Sequence, residues 1–270
     1  MNRTLPTLRS PASALLSPEG VSMRLSGSFQ RIEGRRQEPR RMLRPATVAP
    51  WAIAVMLLLL AACGPRRLAV VGPIQGPQGV ADAVERSTRL EGPARVDFTW
   101  RLNESGSRLA GVGVARIEPP YRARLDLFLE NGESVLSAAL VDDELRLPPG
   151  ARQDVLPPTD LMWATLGVFR PVEGTRLLAD ERLEDGAQRL RYAYEDGAEL
   201  HFELMDGALR ALEVVDGGAT LEWVRLEPSA DDRYPRAATY RNLVDFRELR
   251  LQRTSVRSAE SFDPEIWDPR

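Results

Sequence analysis

Residues 95–102 read Arg95-Val96-Asp97-Phe98-Thr99-Trp100-Arg101-Leu102. Polar and apolar side chains alternate without a break. Successive side chains of a strand point to opposite faces, so this run predicts a β-strand with one face buried and one wet. Gly106 marks a turn after it. Arg108–Ile117 reads as the returning strand, with Gly111, Gly113 and Ala115 leaving its buried face undecided. Pro119-Pro120 ends that strand. Alternation resumes at Tyr121, Ala123, Leu125, Leu127 and Leu129. Asn131-Gly132 then gives a tight hairpin, because both positions tolerate positive φ. Ser134–Val141 and a short Glu144–Leu147 follow across Asp142-Asp143.

The second half repeats the pattern. Leu190, Tyr192 and Tyr194 form one apolar row, and Leu200, Phe202 and Leu204 the next, across Asp196-Gly197. Beyond Asp206-Gly207 come Leu212 and Val214. After Asp216-Gly217-Gly218 come Leu221 and Trp223, assigned to the buried face. Pro235–Tyr240 and a strand through Leu249 and Leu251 close the series. About ten or eleven strands joined by tight turns predict a mainly β, meandering antiparallel sheet, and a sheet that long must curl or close. Two segments read as helix. Residues 80–90 place Val80 and Val84 on one side. Residues 161–169 (L-M-W-A-T-L-G-V-F) follow a cap at Thr159 or Asp160 and stop before Pro171. This second helix is apolar nearly all round, so it should lie against the sheet or plug it. The expected architecture is a curled, unclosed half-barrel with a covering helix.

Upstream, Trp51–Ala62 is an apolar run of 12 residues, followed at once by Cys63, the only cysteine. A bilayer span needs about 20 such residues. The run instead matches the apolar core of an export signal. Its close, Leu60-Ala61-Ala62-Cys63, resembles the lipobox of bacterial lipoproteins. In that family the peptide before the Cys is removed and the Cys carries diacylglycerol and palmitate. The resemblance implies a lipid-anchored protein of the cell envelope, facing the periplasm. Gly64, where enteric inner-membrane lipoproteins carry Asp, implies the outer rather than the inner membrane. The expected division is a disordered or over-called extension at 1–41, with translation starting at Met42. A signal peptide at 42–62 follows, then a lipidated Gly/Pro-rich tether at 63–79. A half-barrel domain at 80–264 and a C-terminal tail at 265–270 complete it.

Composition narrows the partners. All 36 basic residues are Arg. Nine of them and three acidic residues precede Cys63, which leaves the remainder with a net charge of about −9. Nucleic-acid binding demands the opposite balance.

The order of elements in 80–264 resembles the LolA/LolB-like superfamily of lipoprotein carriers and receptors: a short helix, the run from Arg95 to Leu147, a helix, then a second meander. Tyr234-Pro235, Phe246-Arg247-Glu248-Leu249 and Phe262-Asp263-Pro264 share its texture of final strands. The resemblance implies an unclosed barrel, lidded by helices, that shelters acyl chains. The family's outer-membrane receptor carries a protruding, leucine-bearing loop in its first meander. Here the corresponding hairpin is the short, charged Glu130-Asn131-Gly132-Glu133. The family's soluble carrier lacks an acyl anchor, so Cys63 also sets this chain apart from that role.

Candidate cavity residues are Val96, Phe98, Trp100, Tyr121, Leu125, Leu127, Trp163, Leu166, Tyr192, Phe202 and Trp223, read either as cavity wall or as ordinary core. No catalytic residue, cofactor or metal ligand is expected. His201 is the sole histidine and falls on the charged side of its strand, between Glu199 and Glu203. Gly111-Val112-Gly113 lacks the setting of a dinucleotide site. The expected function is binding of an acyl chain or other hydrophobic ligand in the barrel, in lipid or lipoprotein trafficking. The alternative is a non-catalytic envelope scaffold or regulator that binds a protein partner.

Overall fold

The computed structural model describes residues 68–269 apart from 75 and 152–154. Cys63, the lipobox residues Leu60, Ala61 and Ala62, the signal at 42–62 and the extension at 1–41 lie outside the described residues.

One antiparallel sheet of thirteen strands organises the chain. The first meander is β2 (Ala94–Glu104), β3 (Ser107–Glu118), β4 (Arg122–Leu129), β5 (Ser134–Val141) and β6 (Glu144–Arg146). The second is β7 (Arg176–Leu183), β8 (Gln188–Ala193), β9 (Glu199–Met205), β10 (Ala208–Asp216), β11 (Ala219–Glu227), β12 (Ala237–Asn242) and β13 (Arg247–Ser258). Strand β13 joins the two, pairing with β2 from Arg247–Glu104 to Ser258–Ala94. A short β1 (Val70–Pro73) adds outside β7. Among the described residues the sheet therefore runs from β1 to β6 with both edges unpaired, and the half-barrel stays unclosed.

Two connections cannot be hairpins. Helix α1 (Pro77–Thr88) leads from β1 to β2, and α2 (Thr159–Thr165) leads from β6 to β7. Each links strands far apart in the sheet order, so each must cross the face of the sheet. Both carry buried faces: Ala81, Val84 and Thr88 on α1, and all of Leu161–Thr165 on α2. They join the inner side chains of the strands in one apolar core.

The undecided face of β3 is settled by its glycines. Gly111 and Gly113 stand opposite Trp100 and Phe98 on β2. A Cβ on Gly113 would sit 2.4 Å from the Phe98 ring, and one on Gly111 would sit 1.9 Å from the backbone oxygen of Phe128. The missing side chains make room for large ones. Trp100 fills the inner face and donates its indole N–H to Val112 O at 3.0 Å.

Four expectations need correction. The segment at 63–79 is not a tether throughout, because Val70–Pro73 is an edge strand and Pro77 opens α1. Val70 and Val71 supply the β-branched character. Pro73 is tolerated at an edge, and Pro77 suits the first turn of a helix, where its missing N–H is no loss. Strand β7 was not foreseen: its sequence, R-L-L-A-D-E-R-L, lacks alternation, and its pairing with β8 slips between Leu177 and Ala179. The covering helix ends at Thr165. Gly167 takes φ +77°, and Val168 and Phe169 continue, buried, outside the helix. Finally, the described part of the C-terminal tail, residues 265–269, is held against the sheet. Pro264–Trp267 forms a 3-10 turn, Trp267 is buried, and Arg124 donates to Ile266 O at 2.7 Å.

Candidate functional site

The site lies where α2 roofs the sheet. An uninterrupted apolar segment has no stable place in water, and here Leu161, Trp163, Val168 and Phe169 are each at most 2% exposed. Phe169 packs edge-on to Phe202 at 4.7 Å between ring centroids, and Tyr192 packs against Phe202 at 5.6 Å. Such pairs add about 0.5–1.5 kcal/mol beyond their burial.

Polar contacts pin the roof at its ends. Near the start of α2, the Tyr194 hydroxyl donates to Asp160. Burial and that carboxylate push the Tyr194 phenol far above its ordinary range. Trp163 donates its indole N–H to Asp142 O at 3.0 Å. Just past the helix, Arg170 holds Asp143 through two 2.9 Å hydrogen bonds and stands 3.8 Å over the Tyr121 ring. Tyr121 also meets Trp163 edge-on at 5.7 Å. Burial, then the charge of Glu85, raises the Tyr121 phenol. Helix α1 is tied in as well, since Thr88 Oγ1 accepts from Phe169 N at 3.1 Å.

Beneath Thr165 and Leu166 is an apolar cavity of about 30 Å³. Val96, Phe98, Ala115, Leu125, Ala238 and Leu251 form much of its wall. Tyr234 and Pro235 close one side. Beyond Pro235 lies a more polar cleft of about 160 Å³, lined by Ser87, Thr88, Ser229, Asp232 and Arg233 among others. Pro235 borders both spaces and abuts Gly167, whose added Cβ would meet the proline ring at 3.1 Å. The two spaces are thus neighbours with Pro235 in both walls.

Of the residues singled out from sequence, Val96, Phe98, Leu125 and Leu166 line the apolar cavity. Trp100, Leu127, Trp163, Tyr192 and Phe202 are packed core around it, and Tyr121 sits half-buried under Arg170. Trp223 is misplaced. Val224 and Leu226 face inward on β11, and Trp223 points outward with the opposite phase. There it lies beside the Arg225 and Arg241 guanidiniums, at 4.5 and 5.7 Å. Its inward neighbour is Glu222, which accepts from Tyr240 and Asn242 and whose carboxyl burial pushes upward. Sequence reasoning missed Tyr234, Pro235, Leu251 and Arg253 of the cavity wall. Tyr234-Pro235 in an irregular segment was the available signal.

His201 meets Glu199 at 2.7 Å on the outer face, within a ladder that includes Arg191. Among the described residues, no group of three or more His, Cys, Asp or Glu side chains is placed to hold a metal ion. Among them, too, no helix is long and apolar enough to cross a membrane.

No family model matches the sequence, and no curated protein matches it. Among solved structures, the chain is similar to a LolA superfamily protein from Nitrosomonas europaea at 11% identity and a TM-score of 0.48, covering 72% of this chain and 98% of that one. It is similar to a domain from Vibrio parahaemolyticus named for outer-membrane lipoprotein sorting, at 10% identity and a TM-score of 0.48, over 71% and 97% of the two chains. A weaker likeness, at 15% identity and a TM-score of 0.27, is to the Pseudomonas aeruginosa MucA/MucB complex, over 70% of this chain and 60% of that one.

Proposed function

We propose that the chain is an envelope lipoprotein, anchored through acylated Cys63, that takes a hydrophobic ligand such as an acyl chain beneath α2. One observation carries this reading. The roof is apolar underneath, is pinned by polar contacts near its ends, and covers an apolar cavity that shares Pro235 with the wall of a polar cleft. Displacing α2 and Pro235 would open a continuous path from wet to dry. Each methylene moved along it from water contributes about 0.8 kcal/mol, so a long chain needs no reactive group to bind.

The size of the apolar cavity favours a second reading. A space of about 30 Å³ has room for about two waters, not for a hydrocarbon tail. A half-barrel that stays filled would act through its surface, as a scaffold or regulator bound to another envelope protein.

Native mass spectrometry of the purified chain separates the two. Co-purifying fatty acid or phospholipid, displaced by a hydrophobic dye, is expected. A ligand-free mass with no dye uptake overturns the carrier reading and leaves the scaffold. Cys63→Ser should abolish labelling of the protein by palmitate in cells, and labelling that persists would overturn the anchor.

A further inference from the structure

The exposed large apolar side chains include Leu243 at 42%, Val244 at 63% and Phe246 at 82%. All three belong to the four-residue connection between β12 and β13. We infer that this turn is a prong that seats in the interface of a lipid bilayer. It stands at the end of the sheet away from the cavity and cleft, because Asn242 pairs with Arg247 there while Ala237, on the cavity wall, lies at the other end of β12. The inference does not rest on the ligand reading or on Cys63.

The prong is held in shape. Asn242 is buried, and its Oδ1 accepts from Val244 N at 2.9 Å and Asp245 N at 2.7 Å. Its amide donates to Glu222 at 2.5 Å, and Leu243 N donates to Leu221 O at 2.8 Å. At the base, Arg241 pairs with Glu248 at 2.6 Å and Arg247 with Glu104 at 2.5 Å. Phe246 sits at φ +53°, a left-handed conformation that a bulky side chain rarely adopts. A fixed turn thus presents a phenyl ring to solvent despite backbone strain.

Shape decides between occupants. Three side chains on a convex tip fall well short of the roughly 800 Å² per partner that a stable protein interface buries. A bilayer needs no matching pocket. Beside the prong, because Glu104 pairs with both Ser107 and Arg247, stand the β2–β3 turn and the exposed Leu109. Arg101 and Arg108 are exposed on the outer face of these strands, suited to lipid phosphates at headgroup depth. Asp245 is the charge within the tip itself, which limits insertion to the interface.

The test uses the full chain with Cys63→Ser, carrying an environment-sensitive fluorophore on a cysteine introduced by Val244→Cys. A second protein carries it through Asp206→Cys, on the β9–β10 turn at the opposite end. Vesicles of phosphatidylethanolamine and phosphatidylglycerol are added, with nitroxide lipid as quencher. On vesicle-bound protein the label at 244 should shift to the blue and be quenched, the label at 206 should do neither, and Phe246→Asp should reduce the response severalfold. A label at 244 that stays in water, equal quenching at both ends, or no response to Phe246→Asp would each overturn the inference. Failure of the chain to sediment with the vesicles would do so too.

Discussion

Arg170 stands 3.8 Å over the ring of Tyr121 while its guanidinium holds Asp143 through two 2.9 Å hydrogen bonds. One side chain thereby ties the segment that follows α2 to the start of β4 and to the β5–β6 turn.

Removing that tie should loosen the roof before it unfolds the barrel. Arg170→Ala is expected to lower stability by about 1–3 kcal/mol, the range for a charge-assisted hydrogen bond plus a cation–π contact. Uptake of a hydrophobic dye should rise in the same variant. Unchanged dye binding with lowered stability would make Arg170 a structural strut only.

Asp97 gives a pH signature. Burial pulls its carboxyl upward, but Arg257, Ser255 and Arg95 outweigh that and hold it at about 2. A carboxyl with a depressed folded-state value stabilises the fold above its unfolded value, near 3.9, and loses that contribution as pH falls toward 2. Asp97→Asn should therefore be destabilised at pH 7 by about 1 kcal/mol or less, as befits a partly exposed ion pair. The difference from the native protein should shrink steadily as pH falls from about 4 through 2. Urea midpoints measured across this range check it, and a gap as large at pH 2 as at pH 7 would rule the linkage out.

Asp180 predicts the opposite sign. It is 2% exposed on the inner face of β7, and neither carboxylate oxygen has a hydrogen-bond partner. Burial raises its carboxyl. The folded state then binds the proton more tightly than the unfolded chain, so stability falls as pH rises from about 4 through the raised value. Asp180→Leu should stabilise the protein at pH 7 by about 1–3 kcal/mol, the usual cost of an unsatisfied buried group. Its advantage should shrink as the solution is acidified. Destabilisation by this change would mean that the carboxylate has a partner under native conditions.

Gly113→Ala should destabilise by about 1–3 kcal/mol, because the new methyl must displace the Phe98 ring. Gly111→Ala meets backbone rather than a movable ring and should cost more. Thermal denaturation of the two variants, compared in one buffer, gives the ranking; equal losses would contradict the register of β3 on β4.

Much of this was readable from residues alone. The alternation in Arg95–Leu102 placed Val96, Phe98, Trp100 and Leu102 inside, and all four are buried. The apolar segment after Thr159 announced a covering helix because it has no wet face. Other parts were hidden for physical reasons. In β11 both phases carry apolar residues, Leu221 and Trp223 against Val224 and Leu226, and the inward phase is set by pairing with β12. Strand β7 lacks alternation because it carries the buried Asp180 and a register slip. The cavity wall borrows from Tyr234-Pro235 and β13, which meet only when distant strands assemble. The size of that cavity depends on the fit of side chains, which no periodicity encodes.

The position of β13 bears on how the protein is made. It is the seam between the two meanders, and Ser255 meets Asp97 across 158 residues of chain. Contacts so far apart in sequence form slowly, since a long loop must close before they stabilise anything. A chain emerging from the ribosome cannot complete its sheet until β13 has been made. Until then β2 keeps one flank bare, so the unfinished molecule is most vulnerable to aggregation or a chaperone's grip before that strand docks.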